Sequence, residues 1–147
     1  MSNYLLFICL LLFSDPVRGQ ETARIDADRL HVDHAEKKAR FEGNVHAALK
    51  GVKVTCHTLE LTYDDAGNIR QLVAKGGVTV LHKGTHAVAS HAELDAKTES
   101  LVLTGRVVIT REGHRLSGRR VEIRLRTGSV DITEAQGTFV LKSKGRP

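Results

Sequence analysis

The chain has 147 residues, with no Trp, two Tyr and four Phe. So few rings argue against a sugar-stacking lectin or a binder of single-stranded nucleic acid, both of which stack ligands on aromatic side chains. Lys and Arg number 22 against 17 Asp and Glu, a formal net charge of +5; in an exported protein that balance either suits an anionic partner (phosphorylated glycolipid, acidic polysaccharide, nucleic acid) or serves solubility alone.

The N-terminus reads as an export signal. Tyr4–Phe13 is an unbroken apolar run, too short to cross a bilayer and of the length of a signal-peptide core. Pro16 ends any helix behind it, and Val17 and Gly19 place small residues at the −3 and −1 positions of a cleavage site. The expected division is a signal peptide at residues 1–19 and one domain at residues 20–147, with retention of the segment as an uncleaved anchor as the alternative. Cys9 leaves with the signal, so Cys56 is the lone cysteine of the mature chain. No internal disulfide is available, and packing alone must hold the domain together.

Behind the signal, Ile25, Leu30 and Val32 predict one strand, followed by a loop over Asp33–Lys38. From residue 39 the apolar residues alternate with period two and no helical period is visible. Ala39, Phe41, Val45 and Ala47 share one face; Leu72, Ala74, Val78 and Val80 repeat the pattern, as do Leu101, Leu103, Val107 and Ile109, and then, as a partial copy, Ala135, Phe139 and Leu141. A glycine sits mid-run in each copy, at Gly43, Gly76, Gly105 and Gly137, and a second follows at Gly51, Gly84 and Gly113. The first set recurs at spacings of 33, 29 and 32 residues, and self-similarity at such a period marks stacked β units that cannot bury their apolar faces singly. Glycine inside a strand marks a bulge, a bend or a close backbone approach, so the four in register predict one corner repeated along a stack.

The return strands slip phase at the same level. Val54 and Cys56 alternate, then Leu59, Leu61 and Tyr63 resume one residue out of step; the slip recurs after Ala89 and after Gly118. Such a slip sends later side chains to the wrong face unless the strand bulges or turns, which predicts outward bulges at His57-Thr58, Ser90-His91 and Arg119-Arg120. Lys50-Gly51, Lys83-Gly84 and Glu112-Gly113 read as tight reversals, and the loops at Asp64–Asn68, Asp95–Ser100 and Arg126–Ser129 as the opposite ends. The tail from Lys142 is expected to fray. The fold class is all-β: about four strand-turn-strand units whose antiparallel strands bend between two facing sheets, a pattern that by itself equally fits a closed sandwich filled by its own apolar residues.

Chemistry-bearing patterns are few. His31 and His34 form an H-x-x-H pair, but odd spacing on a strand puts them on opposite faces, and His82, His86 and His91 cluster only loosely, so no metal is expected. There is no G-x-S-x-G, H-E-x-x-H or glycine-rich phosphate loop, hence no expected catalytic residue, enzymatic activity or cofactor. Cys56 falls on the inward phase as a small core residue.

Phe41-Glu-Gly-Asn-Val45, Leu59-Glu-Leu-Thr-Tyr63, Leu72–Val78, Ala92-Glu-Leu94 and Leu101–Val107 together resemble the OstA-like family of periplasmic lipopolysaccharide-transport proteins. The resemblance covers residues 24 to 141. It implies a bent β-jellyroll open along one seam, with lipopolysaccharide acyl chains inside the groove and sugars and phosphates in water. It also implies domains joined end to end through edge strands, working with the inner- and outer-membrane components of the exporter. The expected groove lining is Val45, Ala47, Leu59, Leu61, Val78, Val80, Leu94, Leu103, Val107 and Ile109. Arg106, Arg111, Arg115, Arg119 and Arg120 are the candidate phosphate contacts, and the runs Ile25–Val32 and Gly137–Leu141 the candidate ends for self-association. Leu103→Asp is expected to abolish lipid crosslinking and leave a folded domain. Two alternatives stand beside the periplasmic bridge: a membrane-anchored component of the same exporter, and a stand-alone structural or polysaccharide-binding β domain. Nucleic acid is not an expected partner.

Overall fold

The computed structural model describes residues 23–49 and 51–141; the expected signal segment, Lys50 and the tail from Lys142 lie outside the described residues. All elements in this range are antiparallel strands: β1 (Arg24–Asp26), β2 (Arg29–Asp33), β3 (Lys38–Leu49), β4 (Val52–Tyr63), β5 (Ile69–His82), β6 (Thr85–Asp95), β7 (Ser100–Arg111), β8 (His114–Arg124), β9 (Ser129–Thr133) and β10 (Gln136–Thr138). The long strands β3 to β8 form a meander in which each pairs with the next. At one end β1 and β2 both pair with β3, and at the other β9 and β10 both pair with β8.

One long strand can host two short ones because every long strand is bent in its middle. Consecutive left-handed residues make the bend at Gly43 and Asn44 (φ 80° and 45°), Gly76 and Gly77 (83° and 58°), and Gly105 and Arg106 (77° and 46°). Pairing jumps at each: Glu42 faces Thr58 while Val45 faces Cys56, so Gly43 and Asn44 together oppose His57 alone. Ser90 stands in the same way opposite Gly76 and Gly77, and Arg119 opposite Gly105 and Arg106. The corners therefore fall at the predicted level, but the extra residue lies on the glycine-bearing strand rather than at His57-Thr58, Ser90-His91 or Arg119-Arg120. The left-handed conformation costs a non-glycine residue about 1–2 kcal/mol, so the glycine strand takes the tight path and the return strand passes with one residue. Space imposes the same choice at Gly76, where a Cβ would lie 2.8 Å from the Cβ of His57.

The corners divide the sheet into two halves that fold onto each other. The upper half-sheet holds β1, β10 and the parts of the long strands that end at the β3–β4, β5–β6 and β7–β8 turns. The lower half-sheet holds β2, β9 and the parts that end at the β4–β5 and β6–β7 turns. The β5–β6 and β7–β8 turns are two-residue reversals with both residues left-handed, Lys83 with Gly84 and Glu112 with Gly113, the geometry that matches strand twist. The lower turns are longer and are capped by aspartates: Asp64 accepts from the backbone N–H of Ala66 and Asn68, and Asp95 from those of Lys97 and Thr98.

Two expectations change at the ends of the stack. The run Ile25–Val32 is two strands rather than one, with Ile25 opposite Ala47 in the upper half-sheet and Leu30 opposite Phe41 in the lower. The chain thus turns its own corner at Ala27-Asp28. Gly137 is not a fourth corner: it pairs opposite Leu116 in the short β10 without a left-handed φ. The turn between β9 and β10 instead uses Glu134 at φ 54°, and residues 139–141 continue past the last strand.

Inward residues of both halves form one buried cluster, all aliphatic apart from Cys56, and no polar or charged side chain is buried among the described residues. Cohesion therefore comes from apolar burial, worth about 1.5–3 kcal/mol for each Val, Leu or Ile fully removed from water.

Candidate functional site

The half-sheets join at the corners and part at the turns, so a seam runs along the side opposite the corner line. Two adjoining compartments occupy it. The first has a volume of about 30 Å³; Ala47, Leu49, Val52 and Val54 form its upper wall, and Leu59, Leu72, Ala74, Ala92, Leu94 and Leu101 its lower wall. Every wall residue is apolar. Facing sheets pack about 10 Å apart, and the short side chains of Ala47, Ala74 and Ala92 leave part of that gap unfilled.

The second compartment, of about 190 Å³, lies towards the β8–β9 end. Its floor includes Val80, Ala87, Ile109, Ile123 and Leu125, and its mouth carries His82, Lys83, Arg111 and Arg126. Leu101 lines both compartments, so the two meet along the seam. His82 Nδ1 lies 3.4 Å from the Gly51 carbonyl oxygen, and Arg126 pairs with Glu99 at 3.7 Å.

The ten expected lining positions divide by their distance from the corners. Ala47, Leu59 and Leu94 line the first compartment, and Val80 and Ile109 the second. Val45, Leu61, Val78, Leu103 and Val107 line neither and sit in packed core; Leu103, Val78 and Val107 are 0 % exposed. Four of these five stand two residues from a corner glycine, where the half-sheets meet. A carboxylate at Leu103 would have no water and no partner, so Leu103→Asp is an unfolding substitution rather than a groove probe. Sequence reasoning missed Leu49, Val52, Leu72, Ala74, Ala92 and Leu101, which share the inward phase; Ala74 and Ala92 stand as near a corner as the packed positions do, and it is their short side chains that leave space there.

The arginines also separate. Arg111 stands at the mouth of the second compartment. Arg106 is the second residue of a corner, Arg119 pairs with Glu134 at 3.3 Å, and Arg120 reaches Glu122 at 4.0 Å; all three follow the corner line, away from the seam. Arg115 lies opposite Thr110 and Thr138, out of phase with the inward residues.

Burial pushes the Cys56 thiol above its usual pKa, partly opposed by a backbone hydrogen bond at Lys75, and its Sγ donates to the Thr58 carbonyl oxygen at 3.3 Å. His31 and His34 are both exposed, and among the described residues no group of His, Cys, Asp or Glu is placed to hold a metal ion.

Both ends of the stack present free strand edges. At one end Leu30 and Val32 are 57 % and 41 % exposed; at the other are Val130, Phe139, Val140 and Leu141. The Phe139 ring leans on His114 at a centroid distance of 5.8 Å, and the Val140 N–H donates to His114 Nδ1.

An open sheet folded on itself along a line of corners, enclosing an apolar groove, defines a β-jellyroll of the groove-bearing kind. The chain belongs to the family described as LptA/(LptD N-terminal domain) LPS transport protein, which matches residues 24–129 and again 86–144; the resemblance carried by the glycine-centred repeats is borne out. Among solved structures it is similar to LptH of Pseudomonas aeruginosa, the LptA-homologous periplasmic component of the conserved lipopolysaccharide transport device. The TM-score is 0.72 at 20% identity, over 86% of this chain and 92% of that one. At that identity the likeness concerns the fold alone. No curated protein sequence matches the chain.

Proposed function

We propose that this protein is a periplasmic lipopolysaccharide carrier. It takes acyl chains into the groove and passes them along an end-to-end bridge between the inner- and outer-membrane components of the exporter. Membership of the lipopolysaccharide-transport family supports the ligand class, and the observation that carries the reading is the first compartment, whose walls hold no polar residue. Each methylene removed from water is worth about 0.8 kcal/mol. A carrier must release what it takes from a membrane, however, and a groove no more apolar than the bilayer holds chains without trapping them. The protein does this work by binding, not by catalysis, and reaches the periplasm through the signal peptide cleaved behind Gly19.

The free edges supply the joints. Unpaired backbone N–H and C=O groups at an edge recruit another strand. The exposed Leu30 and Val32 at one end and Val130 and Phe139 at the other add apolar surface to a head-to-tail contact.

The test places a photo-crosslinking residue at Leu49 or Val54 on the groove wall and at Val88 on the outer surface, where the side chain is 40 % exposed. Crosslinking of lipopolysaccharide from the wall positions and not from Val88 is the expected result; equal labelling at all three would refute the groove. Concentration-dependent self-association, weakened by Leu30→Asp or Val130→Asp, is the expected behaviour of the ends, and a strict monomer at high concentration would remove the bridge.

A further inference from the structure

The groove is asymmetric along its length, and the asymmetry is one of charge. The first compartment is lined by apolar residues only, whereas the mouth of the second carries Lys83, Arg111 and Arg126 with no carboxylate among the lining residues. Arg126 is held by Glu99, which leaves Lys83 and Arg111 as cations without an ion pair among the described residues. They come from two neighbouring turns of the upper half-sheet, β5–β6 and β7–β8, and stand over an apolar floor that continues through Leu101 into the first compartment. Lys83 also holds a left-handed turn position, φ 46°, that Asn or Asp would fill at lower cost.

Resting on the carrier reading above, we propose that this basic mouth receives the phosphate-bearing head of an acylated glycolipid, so that the ligand lies in one direction. Its head sits at the β5–β6 and β7–β8 turns and its chains run towards the β3–β4 turn. Ammonium and guanidinium donors make charge-assisted hydrogen bonds to phosphate oxygens. The low-dielectric floor beneath them strengthens that attraction relative to open water, and the all-apolar first compartment offers the head no competing site. The four remaining sequence-nominated arginines lie away from the seam and are not needed for this contact.

The experiment uses the mature chain, residues 20–147, and compares lipopolysaccharide with its enzymatically dephosphorylated form. Lys83→Asn, which suits the left-handed turn, is combined with Arg111→Gln. The control pair Lys53→Gln and Lys75→Gln removes the same charge from outside both compartments. Exposed ion pairs contribute modestly, so the double variant should bind lipopolysaccharide about tenfold more weakly and dephosphorylated ligand with less than about a twofold change. The control pair should leave both affinities near wild type, and millimolar inorganic phosphate should not displace the lipid. Equal loss for both ligands, the same loss from the control pair, or displacement by inorganic phosphate would each overturn the assigned direction while leaving the carrier reading intact. Failure of the wild-type protein to bind either form would overturn the carrier reading itself.

Discussion

Ala47→Ile separates a groove that must stay empty for a ligand from a core that happens to be loosely packed. Ala47 is half-buried on the upper wall of the first compartment, paired between Ile25 of β1 and Val54 of β4. Isoleucine adds three carbons, which at about 0.8 kcal/mol each bound the gain at about 2.4 kcal/mol, and a β-branched residue also suits the strand. Ala47 is only partly buried beside a compartment of about 30 Å³ that opens to the seam, so the added carbons can extend along the apolar wall without the penalty of about 1–3 kcal/mol that follows overpacking of a closed core. The ligand-free protein should therefore gain about 1–2 kcal/mol in urea unfolding, a rise in midpoint at constant m. Lipopolysaccharide binding should weaken by about tenfold, because the same volume is denied to an acyl chain. The two effects have opposite signs, which a merely structural cavity would not produce. A destabilised ligand-free protein with unchanged binding would refute the reasoning: the site would then be full, and the ligand elsewhere.

Other perturbations test the frame around the groove. Gly76→Ala combines a left-handed φ of 83° with a Cβ 2.8 Å from His57, whereas Gly67→Ala has a similar φ and nothing within 4 Å; urea unfolding should show Gly76→Ala costing more than the roughly 1–2 kcal/mol of left-handed strain that both share. The turn between β6 and β7 should loosen in acid. Backbone hydrogen bonds, that of Thr98 first, hold the Asp95 carboxyl below its usual pKa, so their contribution is complete above the ordinary carboxylate range near 3.9. It is lost as pH falls through the lower folded value. The protection factors of the Lys97 and Thr98 amides, measured against the intrinsic exchange rate at each pH, should fall there, Asp95→Ala should abolish that fall, and protection factors unchanged by pH in the wild type would count against it. Cys56 should resist alkylation in the folded protein, since burial raises its thiol pKa and the thiolate is the reactive form; labelling as fast as in urea would mean that the corner opens freely.

The groove and the free edges follow from one device. Bending each strand at a glycine lets a single meander supply both walls of a cavity without a second chain segment, and it leaves the first and last strands unpaired on their outer sides. The same left-handed pairs that create the fold's interior thus also set where its free edges lie.

The order of residues determines a good deal without any coordinates. Period-two alternation from Ala39 onwards and the absence of a helical period make the domain all-β, because successive side chains on a strand must point to opposite faces. Glycines at 43, 76 and 105 announce corners, since few other residues accept the left-handed backbone there, and the aliphatic composition announces a core that alkyl chains can lie against. What period two cannot convey is distance between facing sheets. Val78 and Val80 share a face and a residue type, yet Val78 is sealed at the corner and Val80 lines the groove; only the folded separation of the half-sheets, widening from corner to turn, tells them apart. The strand runs at Ile25–Val32 and Gly137 were misread for a related reason: which half-sheet a terminal segment joins depends on pairing with β3 or β8, not on its own pattern. The arginines followed the same rule, because charge is local in sequence, while only tertiary packing decides whether it faces the seam, as at Arg111, or the back of the corner, as at Arg119.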